Sequence, residues 1–557
     1  MKRLIIFIFI IFACVSFNLL LANFCNFDHF TDKYNILKFA NAANCLLNAE
    51  VVDSGAKVVH LIKSDHSGKE VSFASQLIEA NKTYVIHDDF VLDEDVTIPA
   101  NCTLRFEGGS ISGHHTMTGT NTGVNAGLVK IFNTDITLAG SWNVTEAYPE
   151  WFGAVADGDT DDLQAIQKCI DFASTTKLQN GKTYCIDIPI KHGISLKSNT
   201  VFDFNGGSVK MLTTELGQTD ILWLNSITNV TIINPVVIGD SDSHDTDFES
   251  TVGISIRSSN NITIINPRIS KCTCDGIYIS SLLSDPVVES YNISLTGETY
   301  IEDCGRQGIS IICGHDILIE SLVCRNIYRM APGRAIDIEC NNNNQHTYNI
   351  NIGSITSYDC WGTFSVVGRG NKIGVSVGKI ACYNNGMSPI VFSYSSTRDA
   401  NAGNYNDNYD FINIDSSISV DSIYIDKCNY PNDSEISEDA CCIVVNRYLY
   451  KAMPRIFINN ITIGDVSSNI DRVVYIKQDR RLFNYTKLGG MYINKLFIAN
   501  YQSEELLALM ANNIEAKSGV SDISIKEVSI NEIKSVKRIG NKETVNCSFD
   551  NVDRATK

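Results

Sequence analysis

Gly253-Ile-Ser-Ile256, Gly276-Ile-Tyr-Ile279, Gly308-Ile-Ser-Ile311, Ala335-Ile-Asp-Ile338 and Thr363-Phe-Ser-Val366 are one phrase written five times. A small residue leads, and two apolar residues flank a third that is mostly polar. Successive starts lie 23, 32, 27 and 28 residues apart. A second phrase runs between them, an Asn or Asp opening another alternating strand: Asn229-Val-Thr-Ile232, Asn261-Ile-Thr-Ile264, Asn292-Ile-Ser-Leu295, Asp316-Ile-Leu-Ile319 and Asn349-Ile-Asn-Ile352. Recurrence at this period, with several short strands per repeat, marks a solenoid. The fold class is therefore all-β, a parallel β-helix of about three strands per coil.

A solenoid reconciles 557 residues with one continuous core, because each coil contacts only its neighbours. Hydrophobic residues make up 44% of the chain and charged ones 19%, which suits a buried core and is too apolar for disorder. The net charge of -18 argues against general nucleic-acid binding, which needs a basic surface. It leaves room for an acidic sugar polymer, since local Arg residues override a mean charge.

Lys2 and Arg3 precede an apolar run from Leu4 to Ala13 that extends more weakly to Ala22. This reads as a signal peptide over 1–22 and implies export, to the medium, the periplasm or the cell surface. An uncleaved anchor is the alternative and would be the only membrane contact. Cys14 and Cys25 bring a lipoprotein into view, although neither sits in a good lipobox.

Residues 23–80 form a loosely patterned lead-in, 81–147 early coils, 148–500 the main β-helix and 501–557 further coils and a cap. One amphipathic helix is expected near 161–174, from Leu163, Ile166, Ile170 and Ala173. Thr160 or Asp161 would be its N-cap; the Asp157–Asp162 cluster lacks the spacing and terminal Glu of an EF-hand. The apolar-poor stretch 397–410 interrupts the coils, in the manner of a binding loop. Several Asn-x-Ser/Thr sequences coincide with the coil phrase, so inter-coil Asn stacking explains them without glycosylation. Of 18 cysteines, Cys272, Cys304, Cys360 and Cys382 recur with the coil, which points to a buried column of free thiols. Disulfides or a metal site are the alternative in an exported chain.

Trp151-Phe-Gly-Ala154, the run Asp157-Gly-Asp-Thr-Asp-Asp162 and Ala165-Ile-Gln167 together resemble the entry motif of the pectate-lyase-like superfamily of right-handed parallel β-helices, among them rhamnogalacturonase- and epimerase-like domains. The early coils and this join are also similar to those of exported Bacteroides-type proteins. A block from Arg306-Gln-Gly-Ile-Ser-Ile311 through Gly333-Arg-Ala-Ile-Asp-Ile-Glu339 resembles a pattern in bacterial and phage β-helix proteins that act on polysaccharide. The resemblance implies a right-handed coil and a polysaccharide partner. It does not choose the reaction, because one fold hosts many. The paired aspartates, Gly-His-Gly and Arg-x-Lys motifs of polygalacturonases are missing, and Gly314-His315-Asp316 is only a fragment of them.

Alternation places the residue between the two Ile of each phrase on the outside. One outward column holds Ser255, Tyr278, Ser310, Asp337 and Ser365, and a second holds Arg257, Ser280, Ile312 and Glu339. Asp275, Arg306 and Arg334 lie just before these strands. Asp337 and Glu339, two residues apart on one strand, start roughly 7 Å from each other. That separation suits an acid and base pair of an inverting glycosidase. Asp275, about 10 Å away across two coils, is a third candidate. Arg306 and Arg334 are expected to bind substrate, with Tyr278, Ser310 and His315 alongside; on a uronate the two Arg would acidify the α-proton for elimination. No metal or cofactor is required, and Ca2+ would be called for only in a lyase. Ordinary ion pairs between coils are the competing account of the cluster. The reading is a hydrolase or lyase of polysaccharide, and the alternative a glycan-binding, adhesive or tailspike-like β-helix. No feature sets the oligomeric state.

Overall fold

The computed structural model describes residues 58–395 apart from 215, 245–249, 283–285, 343 and 369–370. Beyond them it describes 416–428, 441–448, 454–465, 472–478, 491–500, 505–511, 523–530, 547–549 and 552–554. The leader, the lead-in before residue 58 and the 397–410 stretch lie outside these residues. No helix among the described residues is long and apolar enough to cross a membrane.

Each Gly-led phrase forms one strand of an eleven-stranded parallel sheet that runs in chain order. Its first eight strands are β1 (His192–Ser195), β2 (Thr219–Asn225), β3 (Thr251–Arg257), β4 (Asp275–Ser280), β5 (Gln307–Ile311), β6 (Arg334–Glu339), β7 (Gly362–Gly368) and β8 (Ile390–Ser395). Their register aligns Trp223, Ser255, Tyr278, Ser310, Asp337 and Ser365 in one column. The Asn-led strands build a second, twenty-stranded sheet on the rest of the coil. The architecture is a parallel β-helix.

Three strands per coil hold only for the earlier coils. There the second sheet takes two short strands from each turn, such as Asn260–Ile265 and Arg268–Ser270. From Ser290 onward the two fuse into single strands: Ser290–Glu302, Gly314–Arg325, Thr347–Tyr358 and Ile373–Asn385. The break coincides with Asn234-Pro235 and Asn266-Pro267, where proline has no N–H to give to the ladder. The fused strands carry no proline at that corner.

Asn229, Asn261, Asn292, Asp316 and Asn349 all adopt left-handed backbone, with φ between 52° and 59°. Asn tolerates this conformation because its side chain bonds locally. The amides also bond from coil to coil: Asn229 donates to Asn199 at 2.9 Å, Asn261 to Asn229 at 3.0 Å and Asn292 to Asn261 at 2.6 Å. The expected stacking is present.

The paired Ile residues of β3 to β6 are fully buried. The apolar interior is divided in two. One cluster runs from Leu61 to Ala173 and the other from Ala156 to Ile498, and the Leu163–Phe172 helix lies between them. Ala165 and Cys169 face the first, Ile166 and Ile170 the second. The helix is one expected from sequence, but its N-cap is Asp162 rather than Thr160 or Asp161. Asp162 accepts from the amides of Val155 and Ala156, while Asp161 accepts from those of Leu163 and Asp187. The acidic cluster thus satisfies backbone donors at a chain corner. Twelve described cysteines, including Cys272, Cys304, Cys360 and Cys382, are free and buried.

Candidate glycan-binding and acid-base face

The outer face of the eleven-stranded sheet gathers most of the residues singled out above, in an environment that alternation did not foretell. Ser255, Ser310, Asp337 and Ser365 are not solvent-facing, and each is almost completely buried. Ser280 and Ile312 of the second column are buried as well. Coils lie about 4.8 Å apart, so a short side chain in the column is shielded by longer neighbours above and below. Ser255, for example, is aligned between Trp223 and Tyr278.

Two bonded groups make up a polar network across β4 to β7, Asp275 with Arg306 and Ser310, and Asp337 with Gln307, Arg334 and Ser365; the charge of Arg306 acts on Asp337 between them. Asp275, 0% exposed, accepts from Ser310 Oγ at 2.7 Å and lies 3.4 Å from Arg306 Nη1. Asp337, 2% exposed, accepts from Gln307 Nε2 at 3.2 Å and from Ser365 Oγ. Gln307 is held in turn by the Arg334 amide, which donates to its Oε1 at 3.0 Å. Arg334 is itself buried and directs Nη1 to the Ser388 carbonyl at 2.8 Å. It crosses Gly362, where an added Cβ would sit 2.2 Å from that same Nη1. Burial, then the like charge of Glu339, pushes the Asp337 carboxyl up to about 7, against the smaller pull of Ser365, Arg334 and Arg306. Glu339 is half-buried at the rim.

His315 stands apart from this network. It lies on Gly314–Arg325 of the other sheet, stacked between Tyr291 at 5.2 Å and Tyr348 at 4.7 Å and bonded to Asp316 at 2.7 Å. Its expected place beside Arg306 is wrong, because the Asn-led phrase builds a different side of the coil.

Earlier coils extend the same face with His192, Asp220 and Trp223, which sequence reasoning passed over, beside Arg257 and Tyr278, which it named. His192 stacks on Trp223 with ring centroids 3.9 Å apart, and its Nδ1 is 2.9 Å from Asp220. The Arg257 guanidinium lies 5.2 Å from the Trp223 ring and 4.9 Å from that of Tyr278. Burial is the main cause that raises both the Asp220 carboxyl and the Tyr278 phenol. The signal was available: Gly193-Ile-Ser-Leu196 and Leu222-Trp-Leu224 repeat the coil phrase before Gly253. Among the described residues no three His, Cys, Asp or Glu side chains converge as a metal site.

No family model matches the chain, and no curated protein matches it. Solved structures do. The A-module of mannuronan C-5 epimerase AlgE6 from Azotobacter vinelandii is 12% identical, over 73% of this chain and 99% of that one, with a TM-score of 0.49. The tailspike protein of E. coli bacteriophage HK620, in complex with a pentasaccharide, is 10% identical over 67% and 64%, with a TM-score of 0.43. Endo-xylogalacturonan hydrolase from Aspergillus tubingensis is 12% identical over 73% and 100%, with a TM-score of 0.37. At such identities and scores no residue role passes from them to this chain.

Proposed function

We propose that this chain is an exported, polysaccharide-active β-helix that cleaves glycosidic bonds by hydrolysis on the outer face of β1 to β7. The carrying observation is the pair on β6: Asp337 enclosed and Glu339 at the rim, two residues apart on one strand. Environments that differ this much separate the roles of two carboxyls. Asp337, its proton retained near neutrality by burial, is the general acid. Glu339 is the base that activates water, and their spacing of roughly 7 Å leaves room for it. Asp275, paired with Arg306 and Ser310, positions the network and transfers no proton.

Elimination is less well supported. It needs a cation on the carboxylate of the sugar beside Asp337, whereas the Arg residues there are engaged, Arg306 with Asp275 and Arg334 with Ser388. The residues here do not offer Ca2+ a donor set either, since Asp275 and Asp337 are enclosed by Arg, Gln and Ser side chains. Export rests on Lys2, Arg3 and the apolar run behind them.

The test is a panel of neutral and acidic polysaccharides, following reducing ends and the absorbance of unsaturated uronates. New reducing ends without that absorbance are expected. Asp337→Asn should lower turnover about a hundredfold or more, the typical effect of losing a positioned proton donor. Full activity in both Asp337→Asn and Glu339→Gln would move the chemistry elsewhere.

One observation favours a second reading. Asp337 is 2% exposed with both oxygens bonded, as befits a structural staple of a non-catalytic glycan binder. That reading expects binding without cleavage, and equal binding by Asp337→Asn.

A further inference from the structure

Four side chains, one from each of β1 to β4, stack along the outer face: His192, Trp223, Arg257 and Tyr278. A guanidinium between two aromatic rings is attracted to both faces by their quadrupoles. Arg257 Nε donates to Ser255 Oγ at 3.2 Å. Asp220, 4.0 Å from Nη2, pairs with Arg257 by charge but stands beyond hydrogen-bond reach, and its other oxygen meets His192. Among the described residues the two Nη groups of Arg257 therefore donate to no protein acceptor. The Arg257 side chain is 33% exposed and that of His192 35%, so the stack opens to solvent. Arg334 is enclosed, at 7%, and Arg306 faces Asp275, so neither has the same freedom to meet a ligand.

We propose that Arg257, clamped by Trp223 and Tyr278, is a carboxylate-binding subsite that selects acidic, uronate-containing glycans. Planar guanidinium matches carboxylate bidentately, and the adjoining ring faces suit the apolar side of a sugar. A local cation is needed for this, because the chain as a whole carries -18 and repels a polyanion. Tyr278 is aligned with Ser310 and then Asp337, two coil steps or about 10 Å away. A glycan lying along the coil axis with one carboxylate on Arg257 thus reaches β6. The assignment rests on the glycan-binding groove proposed above, and not on its chemistry.

The test is calorimetric titration with a hexameric oligouronide and with its neutral counterpart, made by reducing each carboxylate to a primary alcohol. Asp337→Asn protein is used so that turnover, about a hundredfold slower or more, does not consume the probe during the titration. Preference for the oligouronide by about tenfold or more is expected, weakening as salt is raised. Arg257→Met should abolish the preference, costing far more affinity for the oligouronide than for the neutral hexamer. Equal affinity for both probes, binding of neither, or a preference that survives in Arg257→Met each overturns the proposal. Should Arg257→Met fail to fold, Arg257→Lys keeps the charge but loses the planar fork, and must reduce the preference at least about threefold; an unchanged preference again overturns it. A wild type that shows the Arg257-dependent preference yet cleaves nothing refutes hydrolysis and leaves the subsite standing.

Discussion

Asp337 shows how one residue answers to two demands. Its burial makes it a proton holder near neutrality, and also makes its charge a liability for the fold. With the folded value raised to about 7 from the ordinary carboxylate range, the folded state keeps a proton that the unfolded chain has lost. The resulting stability is fully present below the ordinary range and is lost as pH rises through about 7. Asp337→Asn copies the protonated form, and Ser365 Oγ can rotate to accept from the new amide. Melting temperatures measured from pH 5 to pH 8 should therefore show the variant gaining on wild type as pH rises, and exceeding it at pH 8. A variant less stable throughout would mean that the ionised carboxylate holds Gln307 and Ser365 together.

At the scale of elements, two devices stack the coils: the Asn ladder at one corner and the helix between the two cores. Asn261 accepts from Asn292 and donates to Asn229 while adopting a φ of 54°. Asn261→Ala loses both bonds and strains a left-handed position, so it should cost about 1–2 kcal/mol by denaturant titration. Asn261→Gly relieves the strain and should cost clearly less, since only the exposed ladder bonds go. The helix is a different case, because a packed apolar side chain is at stake. Ile170 is buried against the larger core, and Ile170→Ala should cost about 2–5 kcal/mol in the same measurement. Equal, small losses at Asn261 and Ile170 would mean that the helix is a surface cap and does not divide two cores.

Across the whole molecule, the coil is legible because Ile residues recur where the interior needs them, as at Ile277, Ile309 and Ile336. The site is legible only in part. Alternation says that Ser310 and Asp337 point outward, but exposure depends on neighbours roughly a coil away in sequence, such as Tyr278 above Ser310. His315 was misplaced for a related reason: a strand pattern does not say which side of the coil it builds. The cysteines succeed because interior position alone governs them. Cys272 and Cys324 are pushed well above the ordinary thiol range, Cys324 chiefly by burial and Cys272 chiefly by its hydrogen bond to Cys304, with burial adding to it. Burial pushes Cys360 and Cys382 up to about 12. A thiol so held is neither accessible nor ionised, and the thiolate is the reactive form. Native protein treated with iodoacetamide at pH 8 should therefore leave Cys272, Cys304, Cys324, Cys360 and Cys382 unmodified in peptide mass maps. In denaturant without reductant all five should react. Failure to react when unfolded would reveal disulfides and overturn the free-thiol column, whereas labelling of the native protein would show that the coils open far more readily than a continuous core allows.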